Sequence, residues 1–139
     1  MLKHVIFVNQ SSAENNVGLP NWSVISITDC DDARIKQGWH SVLRSQFSDV
    51  DMQHSERELE MAISEDQALE IVDYVHAVAP HVEGILVHCK GGVSRSAAVA
   101  KWIAKTYGLP FNHQYALYNT HVYDQLIRAT ARMNRIPKP

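Results

Sequence analysis

The chain has 139 residues, with 45% apolar and 20% charged side chains and a formal net charge of −2. That is the profile of one soluble globular domain spanning 1–139, long enough for a core of its own. It supplies no basic footprint for nucleic acid and no polybasic run for a membrane surface.

In chain order, His4 to Asn9 reads as a buried strand and Gln10 to Asn16 as a polar loop. Trp22 to Thr28 alternates as a second strand and runs into the acidic stretch Asp29 to Asp32, read as an acidic turn or helix cap rather than a magnesium site. Ser41 to Phe47 is the third predicted strand, and the polar stretch Met52 to Glu60 is an exposed loop. Ser64 with Gln67 three residues on predicts a capping box, followed by the apolar stripe Ala68, Ile71, Val72, Val75 and Ala79, with Pro80 as the stop. Gly84 to His88 is a central strand, and Ala97 to Tyr107 a helix ended by Gly108 and Pro110. Val122 to Met133 is the last helix, and 136–139 a frayed tail. This order predicts an α/β fold: a mostly parallel sheet of four or five strands, helices on both faces, and a ligand site at the carboxyl edge of the strands.

The first apolar run, Val5 to Val8, is too short for a signal peptide or a membrane span. Two cysteines argue against a disulfide framework and for a reducing, cytoplasmic setting. Cys30 reads as an ordinary thiol; trapping an oxidised Cys89 is the less favoured alternative.

Chemistry concentrates in His88-Cys89-Lys90-Gly91-Gly92-Val93-Ser94-Arg95-Ser96. A strand, a tight loop and a helix N-terminus bring free backbone N–H groups together where the helix dipole is positive, which suits an anion. There Cys89 is stabilised as a thiolate, and the planar fork of Arg95 brackets a phosphate. Gly91 and Gly92 let the loop wrap closely, Ser96 hydrogen-bonds the sulfur, and His88 orders the loop. Lys90 is either a substrate contact or a solvated rim charge. Assembling these residue types by chance has odds of roughly 10⁻⁶. A nucleotide P-loop lacks its Gly-Lys-Ser/Thr ending here, and zinc lacks a second pair of close ligands. The residues therefore describe a phosphoryl-transfer nucleophile in a phosphate cradle, lined by Cys89, Lys90, Gly91, Gly92, Val93, Ser94 and Arg95, with no metal or cofactor called for.

His88-Cys89 through Arg95-Ser96 resembles the signature of cysteine-based protein tyrosine phosphatases, most closely their compact dual-specificity branch. Asn119 to Leu126, with Gln125-Leu126, is similar to a pattern near the end of those domains. The resemblance implies hydrolysis of a phosphate monoester through a cysteinyl phosphate, on phosphorylated protein, with phosphotyrosine favoured and dual specificity plausible for so short a chain. Other phosphate monoesters (nucleotide, sugar, lipid head group) are the alternative substrates, the lipid weakened because Gly91, Gly92 and Val93 add no second basic residue inside the loop. A phosphate-binding module without turnover is the rival class. The family's general acid is an aspartate on an adjoining loop. Asp49 is the first choice because it comes first after the third strand, Asp51 the alternative, and Asp66 a third candidate already explained by its place in a helix's first turn.

Overall fold

The computed structural model describes residues 1–50 and 61–135. Four strands form a single all-parallel sheet: β1 (His4–Asn9), β2 (Trp22–Thr28), β3 (Val42–Gln46) and β4 (Gly84–Cys89). The spatial order is β1-β4-β2-β3. The register sets Asn9 opposite Cys89, Ser26 opposite His88 and Thr28 opposite Gln46, so every strand delivers its last residue to one edge. β4 is buried along its whole length, as expected of a strand covered on both faces.

Alternation along the strands divides the core. Ile25, Ile27, Ile85 and Val87 face three helices: α2 (Glu65–Val78), α3 (Arg95–Tyr107) and α4 (Thr120–Arg135). Val24 and Leu86 face the other way, against Ala13 of the short α1 (Gln10–Asn15) and the half-buried Ile35 and Trp39. Helices thus lie on both faces, and among the described residues the second face carries α1 and irregular chain. Among the described residues no helix is long and apolar enough to cross a membrane.

Most boundaries follow local chemistry. The Ser64–Gln67 capping box forms with both reciprocal hydrogen bonds, and Glu65 and Asp66 in the first turn complement the helix dipole. Gly108 ends α3 at φ 65°, a left-handed geometry that glycine adopts without steric cost. One expectation fails: Gln10 to Asn15 is a helix, not a loop. Asn9 caps it by accepting from the Ser12 N–H, and only Ala13 is buried. Such a short, polar segment carries no apolar period to read. The acidic stretch Asp29 to Asp32 is a bend that caps no helix. The expected loop 52–60 and tail 136–139 lie outside the described residues.

Candidate active site

β4 ends at Cys89 and α3 begins at Arg95, so residues 90–94 must reverse the chain between a buried strand and a buried helix. Gly92 makes the tightest approach. It has φ 66°, and a Cβ there would stand 2.4 Å from the backbone N of Asn9. The loop is pressed onto the end of β1 at Gly92, where no side chain stands in the way.

Cys89 is buried, and its sulfur lies 3.1 Å from the Ser96 hydroxyl. Burial alone pushes a thiol up. Here it is outweighed by hydrogen bonds from the Ser96 hydroxyl and from the Ser96 and Gly92 N–H groups, and by the Arg95 charge, so the thiol is held below its ordinary value. His88 is fully buried, with Nε2 2.6 Å from the Ser26 hydroxyl and Nδ1 3.4 Å from the Cys89 carbonyl. A carbonyl only accepts, so Nδ1 carries the ring proton and Nε2 accepts from Ser26. Burial holds the imidazole below its ordinary pKa and therefore neutral, against the opposing pull of the Cys89 carbonyl and Glu14.

Arg95 is 4% exposed. One end of its fork, Nη1, donates to Asp29 Oδ1 at 3.0 Å and to the Phe47 carbonyl at 2.8 Å. Its Nε is buried without a partner. A buried cationic donor left unpaired is costly, and a bound oxyanion would satisfy it. In sequence Asp29 is part of an acidic turn or helix cap. It belongs to the site because β2 ends beside β4, a neighbour relation that sequence order conceals. Asp29, Asp31 and Asp32 do not converge, and no group of three or more such side chains that could hold a metal occurs among the described residues.

Asp49 follows β3 at the same edge. Its Oδ1 accepts from the Ser94 hydroxyl at 2.8 Å and from Asn119 Nδ2 at 2.7 Å. Asn119 is buried, and it joins three elements. Nδ2 also donates to the Val50 carbonyl, Oδ1 caps α4 by accepting from the Val122 N–H, and its own N–H donates to the Ser94 carbonyl. Its place in the C-terminal pattern was visible in the sequence, but its hold on Asp49 was not. Asp51 lies outside the described residues. Asp66 stands exposed in the first turn of α2, and no hydrogen bond or ion pair joins it to the loop among the described residues.

The exposed side chain of Lys90 lines a cleft of about 440 Å³ beside the loop, with Glu14, Thr28, Asp29 and Cys30 as other walls. Both cysteines are free thiols, Cys30 exposed and Cys89 buried. Gly91 and Val93 are exposed at the rim, and the Val93 carbonyl accepts from the Tyr115 hydroxyl. The arrangement gathers a thiol held below its ordinary pKa, an anchored guanidinium with a spare donor, the N–H groups of a helix N-terminus and a carboxylate at one end of the sheet.

No protein-family model and no curated protein matches the chain. Solved structures do. Human DUSP28 superposes with a TM-score of 0.57 at 17% identity, over 94% of this chain and 93% of that one. The human tyrosine phosphatase-like serine/threonine/tyrosine-interacting protein superposes with a TM-score of 0.54 at 18% identity, over 94% and 93%. The fold is that of compact dual-specificity-phosphatase-like domains.

Proposed function

We propose that this chain is a cysteine-dependent phosphate monoester hydrolase acting on phosphorylated protein, with phosphotyrosine favoured and dual specificity allowed. One observation carries the reading: Arg95 presents a buried, unpartnered Nε beside a thiol already biased toward thiolate. An unpaired cationic donor suits an anion, and the adjoining thiolate is a nucleophile.

In the proposed reaction the Cys89 sulfur attacks phosphorus while Arg95 and the loop N–H groups hold the non-bridging oxygens. The P–O bond to the leaving group breaks as Asp49 delivers a proton to the departing oxygen. Water then attacks the cysteinyl phosphate and passes its proton to Asp49. The S–P bond breaks and the sulfur leaves as a thiolate stabilised by Ser96. Ser94 and Asn119 hold one carboxylate oxygen of Asp49 beside the loop, which supports the choice of Asp49 as the acid.

Phosphate recognition without turnover is the second reading. The same two hydrogen bonds favour it if they hold Asp49 away from the leaving group, and the fold is shared by a protein whose name calls it phosphatase-like. Hydrolysis of an aryl phosphate across pH, with chelator present, separates the two. The enzyme reading expects turnover that disappears in Cys89→Ser and loses its basic limb in Asp49→Asn but not in Asp51→Asn. Tight vanadate binding with no turnover establishes the binding module instead.

A further inference from the structure

No peptide bond among the described residues is cis. In a trans peptide the carbonyl of one residue and the N–H of the next point in opposite directions. Whatever holds an outward-facing carbonyl of residues 90–94 therefore also aims the following N–H away from that partner. The Lys90 carbonyl is held by the main-chain N–H of Gln10, and the Ser94 carbonyl by the N–H groups of Ala98 and Asn119. These anchors are backbone to backbone and leave little to the side chains.

The Val93 carbonyl is different. It accepts from the Tyr115 hydroxyl at 2.6 Å, across 22 positions of sequence. Val93 is itself 44% exposed, so packing does little to hold this peptide. Tyr115 is anchored: its ring meets Phe7 of β1 edge-on at 5.3 Å, and Phe7 lies 6.0 Å from Phe111. Burial pushes the Tyr115 hydroxyl up, and the Cys89 charge adds to this, so it remains a donor at neutral pH.

We propose that Tyr115 is a positioning residue of the phosphate cradle: by gripping the Val93 carbonyl it fixes the 93–94 peptide with the Ser94 N–H turned toward the bound oxyanion. The inference rests on the reading of this loop as an oxyanion site. It adds a residue from outside the motif, placed by the aromatic packing of Phe7, Phe111 and Tyr115. Tyr115 touches neither the reacting phosphorus nor the leaving group in this account, and it acts only through the orientation of one peptide.

The test is calorimetric titration of the full chain with tungstate, a non-reacting oxyanion, in wild type, Tyr115→Phe and Tyr107→Phe. Tyr107 is the matched control, since it also loses a hydroxyl bonded elsewhere, to His76. Tyr115→Phe keeps the ring and its packing, so the tungstate Kd is expected to rise roughly fivefold to tenfold, as for one lost hydrogen bond. Tyr107→Phe should stay within about twofold of wild type. In turnover, KM for an aryl phosphate should rise while the acidic limb of the pH profile stays in place, because Gly92 and Ser96 still hold the sulfur. Tungstate binding to Tyr115→Phe as tight as to wild type overturns the proposal and leaves the phosphatase reading intact. A shifted acidic limb also overturns it, since the hydroxyl would then act on Cys89. If wild type binds no tungstate, the cradle reading and the proposal fall together.

Discussion

Replacing Asn119 by alanine removes a small side chain that joins three parts of the molecule, and its cost can be worked through contact by contact. The Nδ2 donors to Asp49 Oδ1 and the Val50 carbonyl disappear, as does the Oδ1 acceptor for the Val122 N–H. Val50 and Val122 are buried, so their main-chain groups lose partners that water replaces poorly. Each buried orphan costs about 1–3 kcal/mol, and the Val122 contribution is also the loss of an N-cap. The sum is a destabilisation of about 2–5 kcal/mol. A chain of 139 residues has an unfolding entropy of roughly 0.3 kcal/mol/K, so about 3 kcal/mol lowers Tm by about 10 °C.

The effect on turnover should be of another kind. Asp49 loses one of the two donors on Oδ1, while the Asn119 N–H to the Ser94 carbonyl is main chain and survives. We expect kcat to fall about tenfold, through a less well placed acid, with tungstate affinity changed less than about threefold. Asn119→Asp separates the roles, because it keeps an oxygen to cap α4 yet sets a second carboxylate against Asp49. Its new oxygen meets Asp49 and the Val50 carbonyl with no donor between them, so it should lose at least as much kcat at neutral pH as the alanine variant. Urea denaturation with steady-state kinetics and calorimetry provides the three readouts. A stability change under about 0.5 kcal/mol in Asn119→Ala, or parallel losses of kcat and tungstate binding, would refute the reasoning.

Gly92→Ala should destabilise by more than about 2 kcal/mol and abolish tungstate binding, since the new Cβ meets main-chain atoms of Val8 and Asn9 at a φ that side chains rarely adopt; urea melts and calorimetry check this. Arg95→Lys, which lacks the fork, should lower kcat/KM by about 10²-fold or more; Asp29→Ala should lower it about tenfold by releasing Nη1, and Asp29→Asn, which keeps an accepting oxygen, should lower it less. His88 is held neutral in the folded chain, with a pKa below its unfolded value of about 6.5, so below that value the unfolded state binds more protons. Stability should therefore fall as pH drops below about 6.5, with a slope from this group of at most about 1.4 kcal/mol per pH unit, and His88→Asn should flatten that slope in urea titrations at pH 5 to 7.

Strand and helix order, the parallel sheet and the sequence from Cys89 to Ser96 were legible because each rests on neighbours in the chain. Apolar alternation marks β2, the Ser64–Gln67 pair marks the start of α2, and Gly108 marks the end of α3. The cysteine and arginine of the loop are six positions apart, so a single turn brings them together wherever it forms. α1 escaped this reading because its stability comes from one cap and one buried alanine, neither of which imposes a period. The partners of the loop escaped it for a stronger reason. Asp29 reaches Arg95 across 66 positions, Asn119 reaches Asp49 across 70, and Tyr115 reaches Val93 across 22. Each is an ordinary polar residue in irregular chain or at a helix end, and the strand order β1-β4-β2-β3, the packing of α4 and, for Tyr115, the ring contact with Phe7 carry it to the site. Local chemistry therefore determined the strand, loop and helix from Gly84 to Tyr107, while tertiary structure decided what holds each residue of the loop in place, because a hydrogen bond depends on a few ångströms through space whatever the distance along the chain.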